Sequence, residues 1–295
     1  MAVWEPEIVV DERLARSLLT QFSELEGEPL RLLANGWDYT VWSVGERYAF
    51  RFPRRTVGIA GTEREIAVLP ELAPLLPIAV PAPLFVGRPT EDYPWPFFGS
   101  ELLPGREAAG LDDAARLDAA LQLAGFLRTL HSLDLGLELP VDVNGRADMR
   151  RRVPMTLELL DELQRLGLWE EPPSVRAFLD DSRGLPPGEL TTIVHGDLHF
   201  RQVLVDGGRV TGVIDWVDVC RSDPAIDLSM AWSFLPPDGR ARFLEAYGPV
   251  SEAQLVRARV LAFSLSAALA WNAHSEGLAD VEREAVAGLE RAVTA

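Results

Sequence analysis

The chain has 295 residues, 47% hydrophobic and 25% charged, enough apolar material for one large or two modest cores and too much for a disordered chain. Its net charge of −17 and pI near 4.7 argue against nucleic acid and anionic membrane surfaces as partners. The single Cys220 excludes an intrachain disulfide and suits a reducing cytoplasm; residues 1–10 carry no signal-peptide pattern, and no uninterrupted apolar run reaches the length of a membrane span.

In chain order, Leu14, Leu18, Phe22 and Leu25 recur at helical spacing, which predicts a helix over Asp11–Glu26 with Asp11 as N-cap. Pro29–Leu33 reads as a strand. Thr40–Val44 and Arg47–Phe52 read as a hairpin, after a loop at Ala34–Tyr39 that includes Asn35 and Gly36. Strand–loop–strand with a central Gly is one way to cover phosphates with backbone N–H groups, although a single Gly also fits an ordinary turn. A helix over Thr62–Leu72 carries Glu65. Eight prolines between Pro70 and Pro96 predict mostly loop there, with Leu84–Gly87 a short strand.

Leu111–Leu133 has an amphipathic helical pattern, with His131 at its end as a structural residue. Asp134–Pro154 reads as irregular, with Asn144-Gly145 a turn. Met155–Leu168 and Ser174–Asp181 follow as helices. The run Arg150-Arg151-Arg152 fits a solvated helix start better than an anion site. The last four predicted helices are Asp223–Leu235, with Asp223 as its cap, Asp238–Tyr247, Ser251–His274 and Leu278–Val293. Every basic residue apart from the histidines is arginine; the chain has no lysine.

The densest stretch is Ile193–Asp227. An apolar strand, Thr192–Val194, leads into His195-Gly196-Asp197-Leu198-His199-Phe200-Arg201-Gln202. A hairpin, Val203–Val205/Val210–Ile214, turns across Asp206-Gly207-Gly208, and Asp215 stands at its exit. A lone His-Gly-Asp would be a polar turn. The ordered set matches the H-x-D-L-x-x-x-N catalytic loop and second Asp of kinases. Phosphoryl transfer asks of a protein mainly positioning and charge neutralisation. One carboxylate, Asp197, takes the proton of the attacking hydroxyl. Asp215 and the amide oxygen of Gln202 are the hard oxygen donors that Mg²⁺ prefers.

HGDLHxxQ, then VIDWxD, then DPAxDL resembles the aminoglycoside phosphotransferase family, which includes macrolide kinases. The resemblance implies an α+β, two-lobed protein-kinase-like fold. A small antiparallel-sheet N-lobe spans 1–101, a larger mainly helical C-lobe spans 102–295, and a hinge falls at about 98–105. It implies ATP or GTP and Mg²⁺ bound in the cleft. Arg51 stands where the family has Lys, paired with Glu65 on the phosphates, unless Arg54 or Arg55 takes that place. Asn35 and Gly36 cover the phosphates, and Ser100 C=O and Leu102 N–H hold the base. His195 and Asp227 brace the catalytic loop. Trp271, Asn272 and Glu276 are substrate candidates, with core packing the commoner role for a Trp.

The implied activity is transfer of an NTP γ-phosphate to a small-molecule hydroxyl, with a cationic, aminoglycoside-type acceptor first. A macrolide or another metabolite (amino alcohol, sugar, amino acid) comes next. No obligate protein partner is evident, and the implied location is the cytoplasm. Two departures, Arg51 for Lys and Gln202 for Asn, keep a catalytically degenerate nucleotide-binding protein as the alternative of a different class.

Overall fold

The computed structural model describes residues 5–294, which form two compact units. One comprises the chain to Pro104 together with Ile214–Val217; the other comprises Gly105–Val213 and the chain from Asp218. An antiparallel-sheet unit and a mainly helical unit make this the two-lobed α+β fold that the motifs imply.

The first unit contains α1 (Glu12–Leu19), β1 (Leu30–Asn35), β2 (Tyr39–Val44), β3 (Tyr48–Pro53), α2 (Ile59–Leu72), β4 (Phe85–Gly87) and β5 (Phe97–Glu101). The strands form one antiparallel sheet in the order β1-β2-β3-β5-β4. Strand alternation sends Phe50 and Phe52 to one face, where they meet Leu18, Trp42, Tyr93 and Phe97 in the core. Phe52 and Phe97 lie stacked at 4.9 Å. Gly99 is required there, because a Cβ would sit 2.4 Å from the Phe50 ring. Asp11 caps α1 as expected, accepting from Leu14 N at 2.8 Å. The helix stops at Leu19, not Glu26: Thr20 Oγ1 turns back onto Ser17 C=O and the chain continues as a single 3₁₀ turn, Ser23–Leu25.

The second unit contains β6 (Arg106–Glu107), α3 (Asp113–Ser132), α4 (Met149–Arg165), α5 (Pro173–Ser182), β7 (Thr192–Val194), β8 (Val203–Asp206), β9 (Arg209–Val213), β10 (Cys220–Ser222), α6 (Ala225–Leu228), α7 (Met230–Ser233), α8 (Pro237–Tyr247), α9 (Glu252–Glu276) and α10 (Ala279–Val293). β8 and β9 form the expected hairpin, with Gly207 and Gly208 both at positive φ in its turn, and β6 joins β8. β7 pairs with β10. α4 begins at Met149, six residues before the predicted start. Asp148 caps it, and burial of Met149 and Val153 outweighs the hydrogen bond lost at Pro154. The predicted Asp223–Leu235 helix is two short ones, α6 and α7; Pro224, not Asp223, is the N-cap of α6, and Asp223 accepts from Ala225 N at 2.8 Å just ahead of it.

α9 is by itself long and apolar enough to cross a membrane. It packs instead against α4, α6, α7 and α10, as the central helix of this unit's core. Its Arg257 is buried against Asp223 at 2.6 Å, and Arg116 and Arg291 close on buried Glu284 at 2.8 and 2.6 Å. Each of these three cations has a carboxylate.

Candidate active site

In the first unit, β3 turns Arg51 to the face opposite the Phe core. Its Nη2 donates to Asp215 Oδ1 at 2.6 Å and its Nη1 to Glu65 Oε1 at 3.5 Å. The guanidinium lies 3.8 Å from the Tyr39 ring centroid. Glu65 is completely buried on α2, and its Oε1 also accepts Trp216 N at 3.0 Å. Sequence reading pairs Arg51 with Glu65; the structure adds Asp215 as its closer partner. Asp215 has φ +67°, a left-handed conformation rare for a residue with a Cβ and worth an explanation by function.

Burial opposes the charge on Arg51, but Asp215 and Glu65 overcome it and hold the guanidinium firmly protonated. Burial pushes the Glu65 carboxyl up to about 7, and Asp215 adds to the rise against the opposing pull of Arg51 and Trp216 N–H. The unfolded chain loses this proton near 4.5 and the folded chain near 7, so the group destabilises the fold progressively as pH rises across that window. Glu65→Gln is therefore expected to flatten the decline of the melting midpoint between pH 4.5 and 7, by at most about 3 kcal/mol of stability. Parallel melts of both proteins across this range measure it; curves of equal slope would remove Glu65 as the cause.

The other two arginines of this region hold the loop. Arg54 Nη1 donates to Asn35 Oδ1 at 2.7 Å and to Gly36 C=O at 2.8 Å, and Arg55 pairs with Asp38 at 2.7 Å. Gly36 N–H is used within its turn, on Tyr39 C=O at 2.9 Å. Leu102 N–H, the donor expected for the base, donates to Arg47 C=O at 2.7 Å, and Ser100 lies opposite Ala49 in the sheet.

In the second unit, β7 delivers the chain into His195-Gly196-Asp197. The carboxylate of Asp227, at the start of α6, accepts His195 N at 2.7 Å and Gly196 N at 3.0 Å. His131 Nε2 lies 3.0 Å from the same carboxylate and donates to it, while Nδ1 meets Tyr247 OH at 2.8 Å. Burial would raise the Asp227 carboxyl, but the His131 hydrogen bond, the neighbouring imidazoles and Gly196 N–H hold it below the usual range. His195 Nδ1 then accepts Asp197 N at 3.3 Å, within the loop. Gly196 has φ +91°, and a Cβ would stand 2.3 Å from Asp218 C=O, so no other residue fits. His199 Nδ1 accepts Arg201 N at 3.2 Å, and Gln202 N donates to His199 C=O at 2.9 Å. Gln202 Oε1 is buried without a hydrogen-bond partner.

Arg146 is the residue that sequence reading missed. Its Nη2 pairs with Asp197 Oδ1 at 2.9 Å and its Nη1 with Asp218 Oδ2 at 2.8 Å, and Nη1 also donates to Gly196 C=O. Burial disfavours its charge, but the two carboxylates raise its affinity for the proton. The turn before it is built for this. Asp142, at φ +40°, accepts Arg146 N at 2.8 Å and Ala147 N at 3.2 Å, and Asn144 Nδ2 donates to Asp218 at 3.1 Å. The signal available in the sequence was the D-x-N-G-R turn, which local reading takes as a connection. Trp271, Asn272 and Glu276 lie on the last turns of α9, where Ser275 Oγ donates to Asn272 C=O.

A sheet unit with an Arg–Glu–Asp cluster and a helical unit with a braced His-Gly-Asp loop define a kinase-like phosphotransferase. The particular family follows from comparison: residues 29–261 match the phosphotransferase enzyme family (APH), and the chain belongs to it. That family's reaction delivers a phosphoryl group to a hydroxyl acceptor. A curated relative, the uncharacterized protein YcbJ of Bacillus subtilis (strain 168), is 30% identical over 166 residues, a match that spans about half of each protein: 50% of this chain and 52% of YcbJ. The GDP and kanamycin complex of APH(2")-IIIa superposes with a TM-score of 0.70 at 20% identity, covering 96% of this chain and 99% of that one. The macrolide 2'-phosphotransferase MphH from Brachybacterium faecium superposes at 0.62 with 25% identity, covering 92% and 97%.

Proposed function

We propose that this protein transfers the γ-phosphoryl group of ATP or GTP to a hydroxyl of a small molecule. The observation that carries the reading is Asp197, one-quarter exposed on a loop whose backbone is tied down by buried Asp227. A general base needs this combination, an accessible carboxylate on a backbone that does not move. Asp197 accepts the hydroxyl proton as the oxygen attacks phosphorus and the nucleoside diphosphate leaves. Arg51 is the cation for the phosphates, oriented by Glu65.

The oxygen donors suit Mg²⁺. Gln202 Oε1 is a buried neutral oxygen without a donor, and Asp215 supplies a carboxylate. Each is the kind of oxygen donor that would hold the ion, which would offset the negative charge of the phosphates. The GDP of one structural neighbour supports a guanine nucleotide as the first donor to try, with ATP beside it. Kanamycin, from the same complex, and a macrolide open the acceptor panel.

The Arg51–Asp215 contact at 2.6 Å favours a second reading, a nucleotide-binding protein in which Arg51 occupies the metal-binding carboxylate. A coupled nucleotidase assay with ATP and GTP decides between them. Acceptor-stimulated turnover that vanishes in Asp197→Asn supports the kinase. Nucleotide binding with neither stimulation nor sensitivity to Asp197→Asn supports the alternative.

A further inference from the structure

The surroundings of Asp197 are cationic, in a chain whose net charge is −17. The first turn of α4 carries Arg150, Arg151 and Arg152, and among the described residues none of the three has a carboxylate within ion-pair distance. Arg152 is the informative one. It is only partly exposed, its Nε is buried with no partner, and Nη2 reaches nothing better than Asn144 C=O at 3.3 Å. Arg151 lies over Gly145, its Nη1 2.9 Å from where a Cβ on that residue would stand. The next residue, Arg146, holds Asp197.

A guanidinium removed from water without a counterion is costly, and placing it beside two more cations adds to the cost. The electrostatics agree: burial, then Arg146 and Arg151, push Arg152 down to about 10, against the pull of Asp142 and Asp197. The nearby carboxylates are already used. Asp142 caps Arg146 and Ala147, Asp148 caps Arg150, and Asp197 and Asp218 share Arg146. Elsewhere in this unit the buried arginines Arg116 and Arg257 each have a carboxylate of their own chain. Arg240 also lacks a carboxylate, but its guanidinium donates to the carbonyls of Ala231, Thr294 and Arg291; Arg152 has only the long bond to Asn144 C=O, and it stands beside the residue that receives the acceptor's proton.

We propose that the acceptor carries an anionic oxyacid group, a carboxylate or a phosphate ester, held by Arg151 and Arg152 next to Asp197. The inference rests on the kinase reading of Asp197 and narrows its substrate class. A polycationic aminoglycoside would meet three guanidinium groups there; an acidic acceptor would supply the counterion that Arg152 lacks. Arg presents two parallel donors to a carboxylate or phosphate, which also orients the hydroxyl end of a small molecule.

The test uses charge-matched acceptors with the full chain. Glycerate and homoserine supply a carboxylate, glycerol 3-phosphate a phosphate, glycerol a neutral match and kanamycin a polycation. Transfer is expected to favour an acidic member, with KM for it rising about tenfold in Arg152→Gln. Glycerol should show no such rise. Whichever acidic probe responds separates carboxylate from phosphate.

The melting midpoint gives a readout that needs no turnover. Glycerate or inorganic phosphate should raise it above a sodium chloride control of equal ionic strength, and Arg152→Gln and the exposed Arg151→Gln should each lose that rise. Transfer to kanamycin or glycerol with KM unmoved in Arg152→Gln would overturn the inference and leave the kinase reading standing. If no probe is phosphorylated, the absence of an anion-specific rise in melting midpoint also overturns it. Transfer that survives Asp197→Asn would instead overturn the kinase reading, while the anion-dependent melting rise would remain.

Discussion

Asp197→Asn is expected to lower acceptor-dependent turnover by about 10³-fold or more, with nucleotide affinity changed less than threefold. The asparagine is isosteric and keeps an oxygen for Arg146, so the loop retains its shape; what it loses is the ability to take a proton at neutral pH. General-base participation is worth roughly 10²–10⁴ in rate, and the loss falls on kcat because the proton moves only as the bond to phosphorus forms. Arg146 refines the expectation. Its ion pair at 2.9 Å holds the Asp197 carboxylate in one orientation. Arg146→Gln should therefore lower kcat by loosening the base, with nucleotide affinity little changed. Single-turnover kinetics with nucleotide binding measured in parallel checks both variants. Turnover within a few-fold of wild type in Asp197→Asn would remove the assigned role.

The two-lobed fold was legible because several short signals had to agree. Alternation in Thr40–Val44 and Arg47–Phe52 set the first hairpin, and Asp206-Gly207-Gly208 between Val-rich runs set the second. The brace at Asp227 was legible too, since DPAxDL after HGD belongs to the same motif set and the buried carboxylate does bind the loop backbone. Helix ends were not. Leu14, Leu18, Phe22 and Leu25 keep their apolar period past Leu19, but the chain leaves the helix and still buries Leu25, so periodicity outlasts hydrogen bonding. Pro154 read as a boundary and sits inside α4, because a cap at Asp148 and two buried side chains outweigh one missing N–H.

Pairings distant in sequence were the least visible. Arg51 with Asp215, and Arg146 with Asp197 and Asp218, join segments that no local pattern connects. The assignment of Ile214–Val217 to the first unit has the same origin: four residues leave the β8–β9 hairpin and bind through Trp216 N to Glu65. Arg150-Arg151-Arg152 looked like a solvated helix start because exposure is the common fate of such a run. Only the buried, partnerless Nε of Arg152 separates it from that expectation.

Asp227→Ala carries the largest expected loss of stability, about 3–5 kcal/mol. The carboxylate is fully buried, and three donors converge on it: His195 N, Gly196 N and His131 Nε2. Alanine leaves all three in the protein interior with nothing to accept them, and each buried unsatisfied donor costs about 1–3 kcal/mol, partly recovered if water enters. Asparagine is a more discriminating change. It fills the same volume and offers one accepting oxygen, but its amide would face a donor, so Asp227→Asn should lose less stability and still displace the loop that carries Asp197.

The pH dependence has a definite sign. The Asp227 carboxyl is held below its ordinary value, so its contribution is complete above the ordinary Asp range and is lost as pH falls through the depressed folded value. The acid limb of the stability curve should therefore be steeper in wild type than in Asp227→Ala. Denaturant unfolding at neutral pH and at pH values stepped below 4 measures the difference. A variant as stable as wild type would mean that the three donors find other acceptors and that Asp227 does not brace the catalytic loop.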